Sequence, residues 1–236
     1  MPTPYFYIAS LKSPGESFVL NENSSRHVVQ VLRMQVGENL RLTDGKGGMV
    51  LASISEAHKK HCRVTVIEKN VEEPSPRRVR IALSLLKNAN RFEWFLEKAT
   101  ELGIAEIIPL KCTRTEKQQF RTERMRGILE SALIQSQQVW LPVLHEPVNF
   151  DQYISQEQSD QKFIAHCEPG TKSRLSEIIQ TSLKSQLILI GPEGDFTPDE
   201  IRLAIERNFM PVTLGDNRLR SETAAVAAAA VLKLIL

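Results

Sequence analysis

Residues 187–230 read LILIGPEGDFTPDEIRLAIERNFMPVTLGDNRLRSETAAVAAAA. Two short apolar runs, at 187–190 and 211–214, are each followed by a glycine-containing loop and then by a helix-forming stretch. This order is typical of a strand–loop–helix unit used twice, which builds a parallel sheet with ligand loops at the carboxyl ends of its strands. Because both loops would lie at the same edge of the sheet, we expect them to share one ligand.

Local signals support this interpretation. Thr197 with Glu200 three residues later has the pattern of a capping box at a helix start. Gly191 and Gly194 permit backbone conformations that other residues avoid, and they allow a ligand to approach closely. Ser221 is the expected N-cap of the last, alanine-rich helix.

The composition is that of an ordinary globular protein. The 236 residues are 42% apolar and 25% charged, and they suffice for one large domain or two small ones. The net charge of +2 is too small to indicate a nucleic-acid-binding protein. An RNA site would therefore need local clusters of basic side chains.

Several classes of site and location are disfavoured. The three cysteines, Cys62, Cys112 and Cys167, form no CxxC pair, which favours reduced, buried thiols in a cytoplasmic protein. The five histidines lack the spacing of metal ligands, so we expect no metal site. The apolar C-terminal run from residue 224 is shorter than the roughly 20 residues that span a bilayer, and we expect no membrane association.

Two domains are expected. Residues 1–71 combine short alternating strands with one helix, which predicts a small β-barrel. Residues 72–78, EEPSPRR, have the composition of a linker, and residues 79–236 form the second domain. In the first domain, basic side chains that either contact phosphate or belong to a solvated polar face include Arg26, Arg33 and Lys46.

The second domain opens with an apolar strand at 79–86 and a helix at 91–102, which Asn90 would cap. Lys87 and Arg91 follow that strand, where RNA contact and simple solvation of the helix are both open. A further strand at 163–165 ends at His166, and its position suggests another loop over the ligand. For His166 itself, a general base and a structural histidine are both open.

Two segments carry a family resemblance. LILIGPEGDFTPDEI at 187–201 and LGDNRLRSETAAVAAAAVL at 214–232 closely resemble the cofactor segments of the ribosomal RNA small subunit methyltransferase E family. These SPOUT-class enzymes use S-adenosylmethionine (SAM). HVVQVLRMQVGE at 27–38 resembles the family's PUA-like RNA-binding domain, and residues 85–116 resemble its first methyltransferase segment. The family's usual glutamate and arginine are replaced here by Ile134 and Gln138.

The resemblance implies an α/β fold: a SPOUT-type parallel sheet with a C-terminal trefoil knot, plus an N-terminal PUA-like β-barrel, in a homodimer. It also implies methylation of N3 of a uridine in the decoding region of 16S ribosomal RNA, within the assembled small subunit. The residues expected to bind SAM follow the two strands: Leu189, Ile190, Gly191, Pro192, Glu193, Gly194, Leu214, Gly215, Leu219, Ser221, Thr223 and Ala224.

Uridine N3 is a poor nucleophile until it loses its proton, so a cation near O2 or O4 would stabilise the developing anion. Arg220 is the expected cation, with Arg218 second, and Glu222 would orient an arginine or the ribose or simply stabilise the helix start. The expected RNA contacts are Arg26, Arg33, Lys46, Lys87, Arg91 and Arg218.

Other functions remain open from sequence. One is an RNA-binding protein whose methyltransferase domain is inactive, and another is a methyltransferase acting on a different RNA. A nucleotide-dependent oxidoreductase is disfavoured because the chain has no complete GxGxxG and no GxxxxGK[ST].

Overall fold

The computed structural model of the chain describes residues 3–116 and 119–235. The chain divides into two compact units. The first contains the described residues up to Pro74 together with Leu133–Leu141, and the second contains the described residues of Ser75–Ala132 and Pro142–Leu236. The packing of Leu133–Leu141 with the first unit is a feature that the sequence did not predict.

The first unit is a small mixed sheet with one short helix. In the described residues its strand order is β1-β3-β4-β5-β2, with β1 parallel to β3 and the other pairs antiparallel. The described ladders leave β1 and β2 at the two edges and so form a sheet rather than a closed barrel. The elements are β1 (Tyr5–Tyr7), β2 (Ser17–Val19), α1 (Glu22–Arg26) with a π-helical turn (His27–Val31), β3 (Asn39–Thr43), β4 (Gly48–Glu56) and β5 (Arg63–Val71).

The β3–β4 hairpin receives the segment Leu133–Leu141. Asp44 organises the turn by accepting hydrogen bonds from the backbone N–H groups of Lys46 and Gly48, at 2.8 and 3.1 Å. The backbone N–H of Gly47 donates to the carbonyl of Val139 at 2.8 Å. Gly47 has φ of 90°, and a Cβ there would clash with the indole ring of Trp140, so this close approach requires glycine.

The second unit is a parallel sheet flanked by helices. In its described part the order is β11-β13-β10-β12-β6-β7-β8, with β9 also on β7, and every pair is parallel. The elements are β6 (Arg78–Ser84), α2 (Ala89–Glu101), β7 (Glu106–Lys111), α3 (Thr122–Ser136), β8 (Val143–Leu144), β9 (Val148–Asn149), α4 (Phe150–Gln156), β10 (Gln161–Ala165), β11 (Ser173–Arg174), α5 (Leu175–Ile178), β12 (Ser185–Ile190), α6 (Pro198–Glu206), β13 (Met210–Thr213) and α7 (Ser221–Leu234).

The central strands of this sheet are covered on both faces. Apolar side chains of β6 and β12 are buried, which explains the continuous apolar runs at 81–83 and 187–190 within these strands. Helix α2 packs against α7 and buries the face that its spacing predicts. That face consists of Phe92, Phe95, Leu96 and Ala99.

The capping box of α6 is confirmed: the hydroxyl of Thr197 accepts from the backbone N–H of Glu200, whose carboxylate accepts from the N–H of Thr197. Two other helix starts differ from the sequence prediction. Helix α2 begins at Ala89 and is capped by Asn88, whose side-chain oxygen accepts from the N–H of Asn90 at 3.0 Å. Ser221 is the first residue of α7, not its cap. Caps are decided by local chain direction, which sequence leaves open by one or two residues.

Two further predictions concern the burial of the cysteines and membrane-spanning helices. Of the three free cysteines, Cys62 and Cys112 are buried and Cys167 is exposed, contrary to the expectation that all are buried. Within the described chain, no helix combines the length and apolar character that a membrane crossing requires.

Candidate functional site

A cavity of about 770 Å³ lies at the carboxyl ends of β10, β12 and β13. Since these neighbouring strands are parallel, the loops after them meet at one edge, as the sequence predicts. Both expected ligand loops line the cavity. The expected cofactor residues in its wall are Ile190, Gly191, Pro192, Glu193, Leu214, Gly215, Leu219, Ser221 and Ala224. Three expected basic or catalytic residues also line it, Arg91, Arg218 and Arg220.

Other expected residues lie outside the cavity wall. Leu189 is fully buried within the sheet, because strand residues alternate between the two faces and its side chain packs in the core. Gly194 and Thr223 are exposed, and Glu222 is buried behind the wall. Lys87 is exposed and pairs with Glu116 at 2.8 Å. In the first unit, the three expected RNA contacts are all exposed: Arg26, Arg33 and Lys46.

Gly191 is the tightest point of the first loop. A Cβ there would lie 3.1 Å from the backbone nitrogen of Phe196 and 3.2 Å from its ring. Neither Gly191 nor Gly194 has positive φ, so the loop needs glycine at 191 for space and not for an unusual backbone conformation. The left-handed residue of this loop is Asp195, with φ of 65°.

The carboxylate of Asp195 ties two loops together. One oxygen accepts from the N–H of Cys167, in the loop after β10, at 2.7 Å, and the other accepts from the N–H of Phe196 at 2.8 Å. Aspartate tolerates the left-handed region better than most residues, and these two bonds offset the remaining strain. The loops after β10 and β12 are therefore held in a fixed relation.

Neighbouring strand ends hold the same loop from the other side. The N–H of Lys87, after β6, donates to the carboxylate of Glu193 at 3.1 Å. The guanidinium of Arg114, after β7, donates to the carbonyl of Gly194 at 2.7 Å. The loop is thus anchored by segments far away in sequence, which leaves its backbone groups at the cavity fixed before a ligand arrives.

The second loop runs along the opposite side of the cavity. The hydroxyl of Thr213 donates to the carbonyl of Gly215 at 2.8 Å, and Gly215 has φ of 144°, a value that favours glycine. The chain then reaches Arg220, whose carbonyl accepts from the N–H of Ala224 and so starts α7. The side chain of Arg220 is exposed at the cavity rim.

Arg91 and Glu222 form an ion pair at the cavity wall, with 3.5 Å between Nε and Oε1. The side chain of Glu222 is only 8% exposed, and within the described residues its Oε2 is buried without a hydrogen-bond partner. A buried carboxylate needs a cation nearby, and Arg91 supplies it. The arginine that Glu222 contacts in this structure is Arg91.

The loop after β10 contributes residues that sequence reasoning left out of the expected site. Cys167 and Lys172 line the cavity, as do Asp195 from the first loop and Asp216 from the second. His166, which the sequence left undecided, also lines it. The available signal was the apolar strand at 163–165, since residues after a parallel strand reach the ligand edge. No cluster of metal-binding side chains occurs among the described residues.

This fold and site define a class. Residues 73–233 match the family model of the RNA methyltransferase domain, and residues 20–67 match that of the RNA methyltransferase PUA domain. The chain therefore contains the two domains of an RNA methyltransferase, a PUA domain and a methyltransferase domain.

The chain belongs to the ribosomal RNA small subunit methyltransferase E family. It is 32% identical to the family member of Synechocystis over 228 residues, covering 94% of this chain and 74% of that protein. It is 29% identical to the member of Rickettsia conorii over 231 residues, covering 97% and 94% of the two chains.

Solved structures agree over the whole chain. A Legionella pneumophila protein solved with bound SAM has a TM-score of 0.89 at 31% identity, covering 99% of this chain and 98% of that one. The Neisseria gonorrhoeae ribosomal RNA small subunit methyltransferase E, bound to SAM, has a TM-score of 0.86 at 28% identity, covering 98% and 97%.

Proposed function

We propose that this chain transfers the methyl group of SAM to N3 of a uridine in the decoding region of 16S ribosomal RNA. The observation that carries the proposal is one cavity lined by both glycine loops, in a chain of the methyltransferase E family. The uridine and its N3 come from the family resemblance, and the related Neisseria protein is bound to SAM.

The residues present suit SAM. A volume of about 770 Å³ lies within the roughly 300–1,000 Å³ usual for small-molecule sites. Gly191 allows the loop to turn closely against Phe196, and the backbone groups that this loop presents at the cavity would meet an adenine edge. Apolar wall residues Ile190, Leu214 and Leu219 would hold the adenosine, and Glu193 or Asp216 offers negative charge for the sulfonium cation. When bound, SAM supplies an electrophilic methyl group.

Arg220 is the residue that we assign to stabilise the uridine anion. Its guanidinium is exposed at the rim of the cavity, between the second loop and the start of α7, and arginine keeps its charge at every relevant pH. Arg91, oriented by Glu222, is a second cation in the wall. Both act by placing positive charge where negative charge develops.

The test is single-turnover methylation of small ribosomal subunits at saturating SAM and enzyme. Arg220→Ala should lower the rate about 100-fold, the effect expected for loss of one anion-stabilising donor. SAM affinity, measured by calorimetry, should stay within a few-fold, because the side chain acts on the uridine. Arg202→Ala, an exposed arginine paired with Asp199 on α6, is the matched control and should retain the wild-type rate. A wild-type rate for Arg220→Ala would remove Arg220 from catalysis.

We further propose that the first unit, residues 1–71 in the sequence assignment, binds RNA while residues 79–236 bind SAM, with 72–78 as linker. Exposed basic side chains support this division, because phosphate contacts need accessible positive charge. A triple change of Arg26, Arg33 and Lys46 to Gln should weaken RNA binding and flatten its salt dependence while SAM affinity stays unchanged. Unchanged RNA affinity would count against the proposal. In the second unit, the proposed RNA contacts are Lys87, Arg91 and Arg218.

The proposal also covers the oligomeric state of the protein, the knot and the cellular location. We propose a cytoplasmic homodimer that acts on the assembled small subunit, with a trefoil knot in the C-terminal region. Exposed apolar side chains on α2 and α7, namely Trp94 at 42% and Leu234 at 67%, support a covered surface there. Light scattering that finds only monomers at micromolar concentration would contradict the dimer, and a crystal structure whose chain pulls straight from both ends would contradict the knot.

Calorimetric titration separates this function from the others. The proposed enzyme binds SAM and methylates subunits. An inactive RNA-binding relative of the family would retain the basic surface but would not bind SAM, and an oxidoreductase would bind NAD in place of SAM.

A further inference from the structure

His166 has a central place at the ligand edge. It follows β10, and β10 lies between β12 and β13, the two strands that carry the glycine loops. A side chain after the middle strand therefore sits between the two loops, at the same cavity.

The imidazole of His166 has unused hydrogen-bonding capacity. Both ring nitrogens are buried, and neither has a partner at full hydrogen-bond geometry within the described chain, although the backbone of Glu168 is close enough to act on the imidazole as a hydrogen-bond acceptor. Buried polar groups are almost always paired, since an unpaired one costs about 1–3 kcal/mol. Even with the Glu168 carbonyl beside one ring nitrogen, the other ring nitrogen is left for a molecule bound in the cavity.

The surroundings keep this imidazole neutral. Burial lowers the pKa of His166, and the nearby Lys172 ammonium lowers the pKa further. Together they outweigh the charges of Asp195 and Glu168 and the hydrogen bond to the Glu168 backbone, which raise it. Lys172 is fixed in place because its Nζ donates to the carbonyls of His166 and Glu168, at 3.0 and 2.8 Å. A neutral imidazole has one ring nitrogen that accepts a hydrogen bond, as a base requires.

The other titratable side chains in the cavity wall are less suited to take a proton. The arginines are always protonated. Both oxygens of Asp195 accept backbone N–H groups, and Asp216 pairs with Arg174 at 3.1 Å. One oxygen of Glu193 accepts the N–H of Lys87, in an exposed position.

We propose that His166 is the general base that removes the N3 proton of the target uridine. In this step the N3–H bond breaks and the proton moves to the accepting ring nitrogen. The N3 electron pair forms the new bond to the methyl carbon as the carbon–sulfur bond breaks, and its electron pair stays on sulfur. The imidazolium then releases the proton to water. Asp195 is a positioning residue, because it holds the N–H of Cys167 next to His166. The inference rests on the proposed function.

The test compares wild type, His166→Gln and His166→Ala in single-turnover methylation of small subunits across pH 5 to 9. Loss of a general base should lower the rate about 10²- to 10⁴-fold near neutral pH. The wild-type rate should hold through neutral pH and fall only at a pH below the ordinary histidine value of about 6.5, because the pKa of His166 is lowered. The rate of the variants should keep rising with pH, because spontaneous ionisation of N3 replaces the base.

Two further measurements separate a base from a structural role. Free imidazole should restore part of the His166→Ala rate, and SAM affinity of both variants should stay within about threefold of wild type. The control is His145→Gln, at the opposite edge of the sheet, where His145 bonds Glu106. It should keep the wild-type rate and pH profile.

The possible outcomes distinguish a failure of the general-base role from a failure of the proposed function. A wild-type rate and profile for both His166 variants overturns the base but leaves the methyltransferase function intact. A slower variant with the wild-type pH profile, no rescue by imidazole or a tenfold loss of SAM affinity also overturns the base. A wild-type protein that methylates no subunit overturns the proposed function and the base together.

Discussion

At the residue scale, the two glycines of the first loop differ in the space available for a side chain. A Cβ at 191 would press on the backbone of Phe196, whereas a Cβ at 194 would meet only the Arg114 side chain, at an ordinary 3.4 Å. From the sequence, Gly191 and Gly194 were expected to have the same role. In the structure, the space for a side chain is restricted at 191, where the crowding atoms belong to Phe196 and Asp195.

Gly191→Ala should therefore weaken SAM binding about tenfold, equivalent to about 1.4 kcal/mol, because the loop must shift to relieve the clash. Gly194→Ala is the matched control, and its SAM affinity should stay within about twofold of wild type. Calorimetric titration of both variants makes the comparison. Equal losses would show that the loop tolerates a methyl group no better at 194 than at 191.

At the element scale, the start of α6 is tied to the rest of the sheet edge. Glu200 is buried and completes the capping box with one oxygen. Its other oxygen accepts from the N–H of Thr113, after β7, at 2.8 Å. One carboxylate thus satisfies the helix start and a distant loop.

Thr197→Ala should destabilise the protein by about 1 kcal/mol, the usual cost of losing an N-cap. Glu200→Ala should cost about 2 kcal/mol or more, because it leaves the N–H groups of Thr197 and Thr113 without their acceptor. The exposed neighbour Asp199→Ala should change the free energy of unfolding by less than about 0.5 kcal/mol. Urea denaturation gives all three values, and a Glu200→Ala effect no larger than that of Thr197→Ala would refute the dual role.

At the scale of the whole molecule, acid stability should depend on a charge cluster at the start of β6 and β7. Burial alone would raise the pKa of Glu106, but His145, Arg78 and Arg80 together outweigh burial and lower this pKa. Arg78 lies 2.6 Å from the Glu106 carboxylate, and His145 lies 2.7 Å from it. Burial alone would likewise raise the pKa of Glu157, but hydrogen bonds from Ser159 and the charge of Arg80 outweigh burial and lower this pKa.

A carboxylate with a lowered folded-state pKa stabilises the protein above its unfolded pKa of about 4.3, and the contribution is lost as pH falls through the folded value. The unfolding free energy should therefore fall as pH drops below about 4.3. In Glu106→Gln this loss should be shallower, since one linked proton is removed. Glu123→Gln, at an exposed ion pair with Arg126, should behave as wild type. Chemical denaturation at several pH values tests the difference.

The sequence alone determined the features that depend on local chemistry. Continuous apolar runs specified the buried parallel strands, and the pair Thr197 and Glu200 specified the start of α6. The motif pair at 187–201 and 214–232 specified the family. Each of these signals lies within a few residues of the structure that it describes.

Tertiary structure alone decided the rest. Strand order is set by packing between distant segments, so only the fold places β10 between the two strands that carry the glycine loops. The bonds from Asp195 to Cys167 and from Arg114 to Gly194 join residues 28 and 80 positions apart. The segment Leu133–Leu141 joins the first unit by the same kind of contact. Such partners are chosen by the geometry of the folded chain, and no local pattern of residue types encodes them.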